Sequence, residues 1–297
     1  MTAPSPPASG PSSGGIGRFL EIQNLGLNLP FALAFLLLAS HGLPSPWTLL
    51  WIVVAFVAAR NAGHSFNRWA DRRLDAANPR TQGRALVTGA RSGRFALALA
   101  AGNAAVMIVA AYLLNPLAFV LAPVALLLVF GYSYTKRVTS FTTAFLGLVE
   151  AITPAAVYIA VEGTLPLVAL LAVAALLAWG TAFETVHSLG DLASDRALGL
   201  YSLPGRLGVR TSVRLVPMLH AAALALLAAF GAALGLSLPY YLGLAAMGVI
   251  AAASDRALAA NPERTRVPFE RHFALSLLFL AGTAVALFLP LGTVQIP

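Results

Sequence analysis

The sequence predicts an all-α integral membrane protein of about nine transmembrane helices, and three observations predict it. First, 59% of the 297 residues are hydrophobic and only 10% charged, with mean hydropathy +0.80. Soluble domains carry about 25% charged residues, so this chain has too little polar surface to cover a water-soluble globule. Second, apolar stretches long enough to cross a hydrocarbon layer of about 30 Å recur along the chain with short breaks. Third, Lys and Arg collect in every second break. The length suits a single membrane domain rather than a string of modules.

Taken in order, the apolar stretches place helices over 20–42, 46–68, 93–114, 116–134, 141–162, 165–188, 211–235, 238–258 and 270–291. Residues 1–16 are rich in Pro, Ser, Gly and Ala and carry no charge. They lack the basic start and apolar core of a signal peptide and are predicted as a disordered tail, which leaves 17–297 as one polytopic domain. The turns carry the expected breakers: His41-Gly-Leu-Pro-Ser-Pro, Asn115-Pro, Glu162-Gly-Thr-Leu-Pro and Gly235-Leu-Ser-Leu-Pro. Gly89, Gly93 and Gly102 around the third helix would permit close helix packing.

The basic residues fix an orientation. Arg68, Arg72, Arg73, Arg80, Arg84, Arg91 and Arg94 follow the second helix; Lys136 and Arg137 the fourth; Arg196, Arg206, Arg210 and Arg214 the sixth; Arg256, Arg264, Arg266 and Arg271 the eighth. Arg18 precedes the first helix, and the turns after the odd helices hold no Lys or Arg. Basic loops stay cytoplasmic. The expectation is a multi-pass protein of the cell (inner) membrane with a cytoplasmic N-terminus and the C-terminus on the opposite side. The net charge of +8 is thus a topology signal and implies no nucleic acid partner. The absence of cysteine excludes disulfides and thiolate metal sites.

Only eleven acids are present, so their positions are informative. Asp71 and Asp75 end the second helix, Asp191 and Asp195 the sixth. Each pair has i,i+4 spacing, which sets both carboxylates on one helical face, and Asn67 extends the first stripe by a turn. The two helices run parallel, so the pairs end on the same, cytoplasmic side and can face each other across a cavity. Repelling carboxylates are relieved by a cation. Mg²⁺ takes hard oxygen ligands, commonly one or two carboxylates plus substrate phosphates, and would stabilise a leaving diphosphate. Arg72, Arg73, Arg84, Arg196 and Arg206 interleave the acids, and guanidinium groups suit bidentate phosphate contacts. The plainer reading makes these ordinary salt bridges near helix ends. A secondary transporter would predict inverted repeats and helices broken near the midplane, and neither is evident.

At these residues the chain resembles the UbiA superfamily of intramembrane prenyltransferases. The first motif reads Asn67-Arg-Trp-Ala-Asp71-Arg-Arg-Leu-Asp75-Ala-Ala-Asn-Pro-Arg80-Thr-Gln-Gly-Arg84. The second reads Asp191-Leu-Ala-Ser-Asp195-Arg196, then Gly199-Leu-Tyr-Ser-Leu-Pro204-Gly-Arg206. Gly131-Tyr-Ser-Tyr-Thr-Lys136-Arg137 lies between them. The wording of the first motif is similar to the 4-hydroxybenzoate polyprenyltransferase-like branch, closest to members tied to menaquinone made through futalosine. The resemblance implies a helical bundle around a central cavity opening to the cytoplasm. It implies Mg²⁺-dependent transfer of a polyprenyl group from polyprenyl diphosphate to an aromatic acid of 4-hydroxybenzoate or naphthoate type in menaquinone or ubiquinone biosynthesis. Asp71, Asp75, Asp191 and Asp195 would be the catalytic metal ligands. Asn67, Arg72, Arg84, Lys136 and Arg196 would bind the diphosphate, and Arg137 and His187 the acceptor. His187, Gly190, Glu184 and Thr142-Thr143 depart from the branch near the acceptor, which also leaves haem, chlorophyll or lipid-headgroup prenylation as alternatives.

Arg60, His64, Glu150 and Glu184 fall within or near the bilayer, where ionisable groups are costly and either functional or mutually paired. His220 reads as a hydrogen-bonded interior residue. Asp255-Arg-Ala-Leu-Ala-Ala-Asn-Pro echoes the first motif without its second carboxylate, so it is assigned no metal.

Overall fold

The computed structural model describes residues 16–21, 25–262 and 265–289. A single turn, α1 (Ile16–Phe19), precedes α2 (Leu25–Ala39), α3 (Pro46–Ala70), the short α4 (Arg72–Ala77), α5 (Gly93–Leu114), α6 (Pro116–Thr135), α7 (Thr142–Glu162) and α8 (Ala169–Ala197). A second short turn, α9 (Leu203–Leu207), leads into α10 (Val209–Ala233), α11 (Leu238–Ala260) and α12 (Arg266–Phe288). Among the described residues there is no strand, and eight helices are long and apolar enough to cross a membrane, with the shorter α2 as a ninth apolar helix. Residues 1–15 of the predicted tail and 290–291 of the ninth predicted helix lie outside the described residues, while Ile16 already begins α1.

The helix starts are written in local chemistry. Ser45 Oγ accepts from Thr48 N, Ser92 Oγ from Phe95 N and Asn115 Oδ1 from Ala118 N, each satisfying an orphan donor of the first turn. Pro46 and Pro116 sit just inside their helices, where a missing N–H costs nothing. Asn115 works twice: its Nδ2 donates to the carbonyls of Ile159 (2.7 Å) and Ala160 (3.1 Å), stapling the α5–α6 turn to the end of α7. Gly163 ends α7 with φ +71°, the left-handed cap that glycine adopts without strain.

Three boundaries differ from the sequence expectation. The first predicted helix, 20–42, is shorter: Leu20 and Glu21 lie in a turn, 22–24 lie outside the described residues, and α2 runs Leu25–Ala39. The predicted helix over 165–188 becomes α8, which continues to Ala197. At 1.5 Å per residue its 29 residues reach about 43 Å, well past a hydrocarbon layer of about 30 Å. The polar last turns can therefore remain helical in water. The second predicted helix, 46–68, runs on to Ala70 as α3, and Asp71 caps it and precedes α4.

Of the three glycines expected to permit close packing only Gly93 does so, and the tightest approaches fall at other glycines. Nothing lies within 4 Å of a Cβ built on Gly89 or Gly102, and Gly93 meets only the Trp69 ring, at 3.3 Å. Gly147 instead presses α7 onto α8: a Cβ there would lie 2.7 Å from Thr181 N and 2.8 Å from Leu177 O. Gly243 and Gly282 do the same between α11 and α12. The core between α2, α8, α10, α11 and α12 is aromatic, with Phe31, Phe35, Trp179, Phe230, Tyr240 and Phe279 fully buried. Tyr240 Oη donates to the Leu227 carbonyl at 2.8 Å, so its hydroxyl is not stranded there.

Candidate active site

The two aspartate pairs meet at one end of the bundle. Although α3 stops at Ala70, Asp71 N donates to the Asn67 carbonyl and Asp75 N to the Asp71 carbonyl, both at 2.8 Å. The helical register therefore survives the break, and Asn67, Asp71 and Asp75 keep their one-turn spacing. Asp191 and Asp195 occupy the last two turns of α8. The loop after α4 joins the pairs. Arg80 donates from Nε (2.9 Å) and Nη2 (2.7 Å) to the two oxygens of Asp191, 111 residues away. Arg84 Nη1 donates to both oxygens of Asp75, at 2.7 and 2.8 Å. The buried Thr81 hydroxyl ties the same loop to the Asp75 carbonyl at 3.0 Å.

The short segment after α6 supplies two more cations. Arg137 Nη2 donates to Asp71 Oδ1 at 2.8 Å, and the guanidinium also reaches the Ser133 and Ala70 carbonyls. Lys136 Nζ stands 3.9 Å from Asp195 Oδ1, and Tyr201 N donates to the Lys136 carbonyl, drawing the loop after α8 onto this segment. Asn67 Nδ2 donates to Asp71 Oδ2 at 2.9 Å. Burial pushes the Asp71 carboxyl above its ordinary range despite the opposing charges of Arg137 and Lys136. Asp195 is 3% exposed, and its Oδ2 is buried without a hydrogen-bond partner among the described residues.

Among the described residues no cluster of three or more Asp, Glu or His is gathered tightly enough to hold an ion unaided. The donor set nonetheless fits a hard divalent cation. It is all oxygen, it spans two facing stripes, and the orphaned Asp195 Oδ2 leaves one ligand position without any other use. A metal that completes its shell with substrate phosphates needs only one or two carboxylates at a time.

The other residues singled out from the sequence divide. Arg72 lies over the Trp69 ring at 5.2 Å and donates to the Trp69 carbonyl at 2.8 Å, turned onto the indole. Arg196 is exposed at the end of α8. Arg137, read as an acceptor anchor, is the counter-ion of Asp71. His187 Nδ1 lies 3.4 Å from Glu184 Oε1, with its ring 4.6 Å from Phe183. His220 Nδ1 stands 3.1 Å from both oxygens of Asp255, so the echo of the first motif serves as an internal pair.

Beside this mouth a cavity of about 540 Å³ runs between α2, α3, α5, α6, α7 and α8. Its wall is mostly Ala, Leu, Val and Ile, interrupted by Asn28, Arg60, His64, Tyr132, Glu150 and Trp179. Arg60 donates to the Leu20 (2.8 Å) and Glu21 (3.1 Å) carbonyls rather than to an acid side chain across the bundle. Arg68 donates from Nε to His64 Nε2 at 3.0 Å and also pairs with Glu21. In the sequence Arg80 stands within the first motif but outside the expected binding groups, and Asn28 and Tyr132 carry no expected role. The Arg-Thr-x-x-Arg run was the available signal for Arg80; a lone Asn in an apolar helix was the signal for Asn28.

The UbiA prenyltransferase family profile matches residues 28–281. The 4-hydroxybenzoate octaprenyltransferase of Thiobacillus denitrificans is 37% identical over 215 residues, 72% of this chain and 73% of that one. The 4-hydroxybenzoate octaprenyltransferase of Cupriavidus necator is 34% identical over 248 residues, 82% and 86% of the two chains. The apo structure of a UbiA homolog from Aeropyrum pernix K1 superposes with TM-score 0.81 at 30% identity, covering 89% of this chain and 98% of that one. A UbiA homolog from Archaeoglobus fulgidus, bound to DMAPP and Mg²⁺, superposes with TM-score 0.73 at 16% identity over 93% and 100% of the chains, a likeness of fold.

Proposed function

Because the chain belongs to the UbiA prenyltransferase family, we propose that it transfers a polyprenyl group from a polyprenyl diphosphate to an aromatic acid of the 4-hydroxybenzoate type, in quinone biosynthesis and with Mg²⁺ as cofactor. The observation that carries this reading is the clasp of Arg80 on Asp191, which joins the two aspartate segments beside an apolar cavity. A charged mouth next to a long apolar space suits a substrate with a diphosphate head and a hydrocarbon tail.

Asp71, Asp75, Asp191 and Asp195, with Asn67, would hold the metal. When bound, Mg²⁺ supplies positive charge to the oxygens of the departing diphosphate. Arg84 and Lys136 bind those oxygens directly, Arg80 joins them, and Arg196 extends the basic rim. Arg72, held on Trp69, drops out of the set inferred from sequence. Placing these charges before the reaction begins is the main contribution of the protein. The apolar wall excludes water that would quench an allylic cation. Arg60, a residue of the cavity wall whose guanidinium is held by the Leu20 and Glu21 carbonyls, is better placed than Arg137 to face the carboxylate of the acceptor, and His187, beside Glu184, stands one turn before Asp191 on α8.

The distribution of arginines supports a cytoplasmic N-terminus, a mouth facing the cytoplasm and a C-terminus on the other side. The names of the similar octaprenyltransferases support a hydroxybenzoate acceptor. The wording of the first motif favours a second reading, a naphthoate acceptor on a route to menaquinone. One experiment tests both: purified protein, Mg²⁺ and geranyl diphosphate are incubated with a panel of hydroxybenzoates and naphthoates, and products are read by mass spectrometry. A prenylated hydroxybenzoate is expected. A prenylated naphthoate alone would transfer the assignment to the second reading, and no prenylated acid of either class would refute aromatic prenyl transfer.

A further inference from the structure

Aromatic alkylation leaves a proton to be removed, and the groups described so far are poor acceptors for it. As the allylic C–O bond breaks, its electron pair leaves with the diphosphate, and a C–C bond forms at a ring carbon. That carbon then carries both the prenyl group and its original hydrogen. The C–H bond must break, its electrons restoring the aromatic ring and its proton passing to a base inside a water-poor cavity.

Most candidates are already engaged. Asp71 faces Arg137, Asp75 faces Arg84, Asp191 faces Arg80 and Asp195 faces Lys136. In the cavity wall, His64 Nε2 accepts from Arg68 Nε at 3.0 Å, so its lone pair is used and the other ring nitrogen carries the hydrogen. Arg60 and Tyr132 are proton donors. Glu150 is the carboxylate of the cavity wall among the described residues, and it is held by a neutral group: Asn28 Nδ2 donates to Glu150 Oε1 at 3.3 Å. On the other side of that amide, Asn28 Oδ1 stands 3.4 Å from His272 Nε2, which fixes which face of the amide meets Glu150.

The backbone makes room for this carboxylate. A Cβ on Gly180 would collide with Glu150 Oε2 and would stand 3.0 Å from Gly147 Cα. Two glycines thus bring α7 and α8 together and leave a slot that the Glu150 side chain fills. Glu184 stands one turn beyond Gly180 on α8, His187 Nδ1 lies 3.4 Å from its Oε1, and Asp191 follows His187 by one further turn of the same helix.

We propose that Glu150, positioned by Asn28 and seated against Gly180, is the base that takes the ring proton, and that Glu184 and His187 return it to the mouth. This rests on the aromatic prenyl transfer proposed above. The test compares wild type with Glu150→Gln, using Mg²⁺, geranyl diphosphate and 4-hydroxybenzoate either unlabelled or deuterated at the two ring positions beside the hydroxyl. Glu150→Gln should lower kcat about 100-fold with the acceptor KM little changed. Deuteration should slow the variant further while leaving the wild type unaffected, because proton loss has become the slow step. A variant with wild-type kcat, one slowed without an isotope effect, or one altered only in KM would overturn the assignment. If Glu150→Gln is not recovered folded, Asn28→Ala decides: loss of one orienting hydrogen bond should cost about tenfold in kcat with the same isotope signature, and absence of that signature overturns the assignment. A wild type that prenylates no acid refutes the function itself and this base with it. An active wild type with an undiminished Glu150→Gln removes only the base.

Discussion

Asp71 and Asp191 reach their cations by different routes. Asp71 is buried and meets Arg137 from the segment after α6; Asp191 is partly open and meets Arg80 from the loop after α4. Converting either to Asn keeps the shape and removes the charge. Asp71→Asn and Asp191→Asn are each expected to lower Mg²⁺-supported transfer by about 100-fold or more, measured as initial rates on folded, purified protein. Wild-type rates in both would sink the assignment of these residues. The aspartates were readable in the sequence because i,i+4 spacing is a local property and survives the break at Asp71. Their partners were not. An arginine side chain reaches several ångströms in any of many rotamers, and the neighbours of Arg72 decide that it lies on Trp69, while those of Arg80 decide that it crosses to α8. Only the fold sets those directions.

At the scale of elements, α7 and α8 press together at the cavity wall. Gly147 and Gly180 permit it, and neither was visible as a packing glycine in the sequence, where Gly89, Gly93 and Gly102 looked equivalent. What distinguishes them is which helix lies opposite, and hydropathy does not report that. Gly147→Val should force apart a contact in which even a Cβ would lie 2.7 Å from backbone. A cost of about 1–3 kcal/mol is expected, seen as a lower melting temperature in detergent, while Gly102→Val, whose Cβ meets nothing within 4 Å, should leave it unchanged. Equal melting temperatures in the two variants would contradict this packing. Helix starts were more legible, because Ser45-Pro46, Ser92 and Asn115-Pro116 announce themselves chemically. The end of α8 was not, because hydropathy falls where the charges begin although the helix continues.

For the molecule as a whole, the number of apolar helices was legible, and the alternation of turns with and without Lys or Arg is the sequence signal for their orientation. It depends on net transfer cost rather than on any particular contact. The cavity was not legible, since an apolar residue facing lipid and one facing an internal space obey the same hydropathy. The chain contains no cysteine, so single introduced thiols give clean labels. In right-side-out cells, Leu167→Cys in the 84%-exposed turn before α8 should react with an impermeant maleimide. Thr88→Cys in the loop before α5 should react only after permeabilisation. The reverse pattern would invert the orientation.

The stretch from Asn78 to Ser92 is fastened through Thr81 and Arg84 to one aspartate pair and through Arg80 to the other. A guanidinium that is both fastener and anion receptor cannot fill both offices at once. Whatever anion recruits Arg80 must compete with Asp191 for it. By thermodynamic reciprocity, the tautness of that stretch and the tightness with which such an anion is gripped would then be two faces of one equilibrium, and a filled mouth would register as slack in a loop.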